Sequence, residues 1–409
     1  MHDGRSVFAQ SLKAVNQEVF DNNSKPDSVL LIMVGIKHIA TAFLLILMVF
    51  SCSNDKEAQD VEEPDGRSFF MGFTAFPYDS STNALTETYQ NVIADGDIFL
   101  SHLDFGVPWD EAMNDLPFPE EVQNTINIAK NSKSSSTKIV LITTPTDQSR
   151  NNLAKYWNNT GSHQPLPAFW EGKSFDDPDV VSTFIKYCKR LIDEVDPDYF
   201  GYGIETNATF RKDDPAFAQF LTLVEAVYTA LKADYPNLPM FLSLQDQSYD
   251  NTKTELLEIS KMLVAHSDYI AMSTYPFLYY ENLKRDANPD LFADNWLDDF
   301  RNLDTSKPFA VSETGFSADD LVIENLGVNA KSTEDWQKGY VEKLMNHLNA
   351  LDAEFALWFV YRDYDLLYQN TPSPPDILKV WRDNGLLDGE GNQRPAYELW
   401  KQWLQLPKN

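Results

Sequence analysis

The chain has 409 residues, 43% of them hydrophobic and 13% aromatic, with 9 Trp, 18 Tyr and 26 Phe; that suffices for a large globular core and for aromatic surfaces besides. Its net charge of −29 repels phosphate backbones, which argues against nucleic acid as a partner and disfavours strongly anionic polysaccharides, while a neutral, hydroxyl-rich ligand is unaffected. Two cysteines, Cys52 and Cys188, support no disulfide framework, and six histidines without ligand spacing give no reason to expect a metal or another cofactor.

Residues 1–32 read as an upstream extension, because Met33 gives a leader of ordinary length. Lys37 and His38, the apolar run Ile39 to Ser51 and then Cys52 form a basic region, an apolar region and a small residue before cysteine. Val49-Phe50-Ser51-Cys52 resembles the lipobox of bacterial lipoproteins. That resemblance implies a signal peptide over 33–51, lipidation of Cys52, and an outer-membrane lipoprotein that meets the membrane through its lipid anchor only. The alternative is a spanning helix from Val29 to Phe50, which Lys37 and His38 interrupt. Ser53-Asn54-Asp55-Lys56-Glu57 resembles the acidic export tags of surface lipoproteins in Bacteroidetes-type bacteria. Residues 52–67 are polar and acidic, as expected of a flexible tether.

From Ser68 apolar runs alternate with longer helical patterns through to residue 409, with no second linker, which predicts a single domain and a monomer. Eight runs read as strands: Phe69–Phe76, Ile98–Phe105, Lys138–Thr144, Tyr199–Glu205, Met240–Gln245, Tyr269–Tyr275, Phe309–Glu313 and Phe355–Tyr361. The clearest helices are Asp179–Val195, Pro215–Ala233, Thr254–His266 and Thr333–Leu351, with Asp179, Asp214 and Thr333 as caps. Cys188 falls within a helical pattern and reads as a buried small hydrophobe. Eight strands alternating with helices predict an α/β fold, the (β/α)8 TIM barrel. The Trp- and Asn-rich segment from Gln148 to Pro178 is expected to form a loop over the barrel mouth.

Active sites of such barrels lie at the carboxyl ends of the strands. Glu205 ends the fourth run and Glu313 the seventh; two strand-end carboxylates are what glycoside hydrolysis by a carboxylate pair requires. Around them stand His102, Asp104 and Trp109 after the second strand, and Asn207 after the fourth. Gln245 follows the fifth, Tyr275 the sixth and Trp358 the eighth. Aromatic faces suit the C–H surfaces of sugars, and amides and carboxylates suit their hydroxyls.

The ring resembles glycoside hydrolase clan A, whose acid/base ends strand four and whose nucleophile ends strand seven. D-Y-I-A-M-S-T-Y-P-F, residues 268–277, resembles the sixth strand of the family 53 endo-β-1,4-galactanases. F-A-V-S-E-T-G-F, residues 309–316, is similar to the clan's nucleophile strand, and A-L-W-F at 356–359 to its eighth strand. G-L-L-D-G-E-G-N-Q-R-P-A-Y-E-L-W at 385–400 resembles the closing segment of many such barrels. Two positions depart from the clan's pattern. Ile204 stands where an Asn usually precedes the acid/base, and His102 and Asp104 stand where strand two commonly carries an Arg. Family 113 mannanases also lack that Asn.

The resemblance implies a retaining endo-β-glycosidase acting on a neutral β-linked polysaccharide (galactan, mannan or glucan), with Glu313 as nucleophile and Glu205 as acid/base. Tyr275 would donate to the nucleophile, and Trp358 would floor the reactive subsite. Gln245, Asp104, His102, Asn207 and Trp109 would contact substrate. A transglycosylase uses the same residues. The alternative from another class is an inactive polysaccharide-binding lipoprotein on a barrel scaffold, which has no need of both glutamates.

Overall fold

The computed structural model describes residues 64–246, 253–279, 286–324, 327–374 and 376–409. Cys52, the leader and all but the end of the tether lie outside these. Eight parallel strands surround a common axis: β1 (Phe70–Thr74), β2 (Ile98–Leu103), β3 (Lys138–Thr143), β4 (Tyr199–Gly201), β5 in two pieces (Met240–Phe241 and Ser243–Gln245), β6 (Ile270–Thr274), β7 (Phe309–Thr314) and β8 (Phe355–Trp358). β4 pairs with the first piece of β5 and β6 with the second, so the sheet closes on itself through that interrupted strand. The principal helices between strands and after β8 are α1 (Thr82–Ala94), α2 (Glu120–Asn131), α3 (Pro178–Val195), α4 (Pro215–Asp234), α5 (Lys253–Val264), α6 (Asp298–Arg301), α7 (Glu334–Ala350) and α8 (Pro395–Gln405). This is the expected (β/α)8 barrel.

Alternation along the strands builds two apolar layers. Ile98, Leu100, Val140, Ile142, Phe355 and Leu357 fill the barrel axis. Phe99, Leu141, Met272 and Trp358 face the helices instead. Gly201 is required inside, because a Cβ there would sit 2.4 Å from the Ile142 side chain. Helix starts follow proline-and-cap chemistry. Asp214 accepts from the Ala216 amide with Pro215 next to it, and Thr333 accepts from the Trp336 amide. At α3 the cap is Asp177 and not Asp179 as expected. Pro178 takes the first helical position, where it has no N–H to satisfy, and the Asp177 carboxylate accepts from the Asp179 amide.

Three features set the mouth. The segment after β3 is not wholly loop, since Tyr156–Asn158 pairs antiparallel with Gly161–Gln164. β4 ends at Gly201, short of its apolar run, and Glu205 at the end of that run adopts a left-handed backbone (φ 48°); bonds from Thr206 N to Ser243 O and from Ser243 N to Gly203 O still carry the chain along β5. β7 carries an irregularity against both neighbours between Val311 and Thr314. Ala310 points to the axis, so strict alternation would send Glu313 outward. The extra residue shifts the phase by one. Glu313 thereby meets Tyr275 at the mouth, and Thr314 reaches the Tyr340 hydroxyl of α7.

Candidate active site

The mouth holds two glutamates, both reachable from solvent yet only 8% (Glu205) and 7% (Glu313) exposed. Both are held from β6. Ser273 Oγ donates to Glu205 Oε1 at 3.1 Å, and the Tyr275 hydroxyl donates to Glu313 Oε1 at 2.6 Å. Ser273, on β6, and Tyr275, just past its end, are two apart in the chain, so one strand end supplies both hydroxyl donors. Burial raises the Tyr275 phenol well above its usual range, and the neighbouring Glu313 charge raises it further. Tyr275 therefore stays a donor throughout the neutral range. Gly315 makes room behind the pair, since a Cβ there would lie 2.3 Å from the Phe359 carbonyl oxygen.

The second carboxylate oxygens face different neighbours. His102 Nε2 lies 3.6 Å from Glu313 Oε2. Arg150 Nη2 lies 3.5 Å from Glu205 Oε2. Arg150 is itself gripped by Asp104 through two parallel bonds, Nη1 to Oδ1 at 3.2 Å and Nη2 to Oδ2 at 2.9 Å. Arg150 is 3% exposed and has φ 62° in the segment after β3. A paired, desolvated fork of this kind is rigid as well as charged.

Beside Glu313 opens a cleft. His102, Asp104 and Glu313 supply its polar edge. Phe76, Phe105 and Phe359 line it, with Tyr364, Leu367, Leu378 and Trp381 from the segment after β8.

The structure thus gathers Glu205, Glu313, Tyr275, His102 and Asp104. Gln245 ends β5, half-buried, on the face that Ser243 shares with Glu205. Three expected sugar contacts are elsewhere. Trp358 is fully buried, packed between Tyr340 of α7 and Trp400 of α8, and its Nε1 donates to the Asn384 carbonyl. It offers no ring face, because Phe355 and Leu357 take the axis and leave position 358 pointing outward; Phe359, next along, borders the cleft instead. Trp109 is covered by Trp170, ring centroids 5.1 Å apart, and its Nε1 donates to the Ala154 carbonyl. Asn207 is a clamp: its amide donates to Gln245 O and Ser260 Oγ and accepts from Gln245 N. Its groups are spent on joining the β4 and β5 ends to α5. Asp363, also at the end of the eighth run, pairs with Arg394 and accepts from Gly385 N.

Arg150, Ser273 and Phe359 are the residues the sequence reading missed. Ser273 and Phe359 follow from the alternation that gives Tyr275 and Leu357.

No protein-family model matches the chain, and no curated protein matches it. Among solved structures it resembles a GH5_18 variant from Streptomyces cattleya in complex with Manβ1-4GlcNAc, at 14% identity and TM-score 0.57, over 82% of this chain and 80% of that one. It also resembles the exo-β-1,4-mannosidase Op5Man5 from an Opitutaceae bacterium, strain TAV5, at 12% identity and TM-score 0.58, over 84% of this chain and 60% of that one. A third likeness is the β-glucuronidase of Bifidobacterium dentium, at 15% identity and TM-score 0.50, over 83% of this chain but only 47% of that one. At these identities the likeness is one of fold: the chain shares its (β/α)8 barrel with known glycoside hydrolases.

Proposed function

We propose that this protein is a retaining endo-β-glycosidase that hydrolyses a neutral β-linked polysaccharide. The observation that carries the reading is that Glu205, after β4, and Glu313, on β7, are each held by a hydroxyl donor from the end of β6, Ser273 and Tyr275. In the first half, a Glu313 carboxylate oxygen attacks the anomeric carbon as the bond to the leaving oxygen breaks, and Glu205 gives that oxygen its proton. A glycosyl ester on Glu313 results. In the second half Glu205 takes a proton from water, the hydroxide oxygen adds to the anomeric carbon, and Glu313 is released as carboxylate. The phenol of Tyr275 stabilises the charged Glu313 at the start and end of the cycle.

The net charge of −29 supports a neutral polymer over an anionic one. Galactan, mannan and glucan are the substrates to compare; the names of the mannosidase and of the mannose-containing complex lend mannan support. The resemblance of residues 49–57 to a lipobox and export tag supports display at the cell surface through Cys52. A Cys52→Ala change is expected to move the protein from the membrane to the soluble fraction; retention in the membrane would contradict a lipid anchor.

The test of activity is product analysis after incubation with a panel of these β-glycans, using wild type, Glu205→Gln and Glu313→Gln. Oligosaccharides from wild type, with a loss of about 10²-fold or more in each variant and polysaccharide binding retained, are expected. Equal turnover in all three would remove both glutamates from the mechanism, and binding without turnover by wild type would favour an inert scaffold.

A further inference from the structure

The cleft beside Glu313 has a composition that a fully hydroxylated sugar does not call for. Glu313 and His102 border it, and Glu205 does not. In a double displacement the proton donor faces the leaving oxygen, and the nucleophile lies beneath the ring it attacks. The cleft is therefore on the glycone side. Phe76, Phe359, Leu367, Leu378 and Trp381 dominate its lining. Its polar edge is largely committed: Asp104 holds Arg150 through both oxygens, and Glu313 Oε1 accepts from Tyr275. Beyond His102, the Tyr364 hydroxyl and the Trp381 indole N–H, a hydroxyl carried into this space would give up water for few partners, whereas a methyl group would gain contact with the Phe and Leu side chains of the lining. His102 is the one group among the described lining residues that could carry positive charge, so a uronate carboxylate finds poor compensation there.

We infer that the glycone bears a methyl-terminated substituent, as in an O- or N-acetylated or a 6-deoxy sugar, and that this cleft is its receptor. The inference rests on the glycosidase reading above and specifies its substrate class. Leu367 and Leu378, both buried, come from the segment after β8 and act as specificity residues.

The experiment compares matched substrates with the full chain. One arm measures kcat/KM on acetylated glucomannan and on the same material after mild alkaline deacetylation. A second compares aryl β-D-fucoside with aryl β-D-galactoside, which differ by one hydroxyl, and a third uses aryl β-D-glucuronide. The methyl-bearing member is expected to be favoured about 10-fold or more in at least one arm, the range a single apolar contact supplies. The arm that responds identifies the substituent, and the glucuronide should be the poorest substrate. Leu378→Thr should shrink the preference. Turnover with the unsubstituted members equal or better would overturn the inference and leave the glycosidase reading intact. Turnover of no member of any arm by an enzyme that cleaves a glycan of the panel above would overturn this inference alone; inactivity on that panel as well would contradict the glycosidase reading.

Discussion

Arg150 and Asp104 form a buried two-bond ion pair, 3.2 and 2.9 Å, and the same guanidinium reaches Glu205 at 3.5 Å. The segment after β3 is thereby tied to the end of β2 and to the proposed acid/base on β4. Removing one partner of such a pair strands a buried charge, at a cost of about 3–5 kcal/mol. Arg150→Met should lower the midpoint of thermal unfolding sharply. Arg150→Met combined with Asp104→Leu should recover much of that stability, because the stranded charge is gone. It should not recover turnover, since Glu205 then keeps only the Ser273 hydroxyl at Oε1 and loses the guanidinium at Oε2. A double variant with wild-type kcat would show that the pair serves folding only.

Tyr275 gives a second test. Tyr275→Phe deletes one hydrogen bond to the proposed nucleophile, worth about 1.5–3 kcal/mol for a charged acceptor, so kcat should fall about 10- to 100-fold. The phenol also has a pH signature. Burial raises the hydroxyls of Tyr187, Tyr202, Tyr275 and Tyr340 above the value they have in the unfolded chain. A raised folded value means that the native state holds its proton more tightly. The associated stability is present below the unfolded value of about 10 and is lost as pH rises beyond it. Denaturant titrations should show this tyrosine contribution unchanged between pH 8 and 10 and falling above that, with Tyr275→Phe flattening the fall. A steeper alkaline loss in the variant would contradict the assignment.

Trp358 and Phe359 separate stability from capture. Trp358→Ala empties a site enclosed by Tyr340 and Trp400 and should cost about 3–5 kcal/mol in unfolding free energy. Phe359→Ala should chiefly raise KM, because that ring borders the cleft. Unfolding curves and Michaelis plots on the two variants check the contrast, and the reverse pattern would restore Trp358 to the substrate.

The barrel was legible because its strands and helices carry unlike periods. Runs such as Lys138–Thr143 and Phe309–Thr314 are too apolar and too short for anything but buried strands. Glu205 and Glu313 were legible because a carboxylate ending such a run has no packing role. The directions of side chains were less so. The motif A-L-W-F drew attention to Trp358, but the pleat counted from Phe355 turns that ring away from the axis. At β7 the reverse holds, for only the irregularity after Val311 turns Glu313 inward, and a one-residue phase shift leaves no mark in composition. Arg150 was hidden for a third reason. It acts across 46 residues of sequence separation on Asp104 and across 55 on Glu205, and no local pattern encodes a contact of that range.

The central claim is a double displacement through Glu313 and Glu205, and the anomer first released tests it most directly. Proton NMR of the reducing end, recorded in the first minutes before mutarotation, should show the β-anomer accumulating from a β-linked substrate, because two inversions at the anomeric carbon restore its configuration. First appearance of the α-anomer would mean a single displacement by water, and would contradict the covalent role given to Glu313.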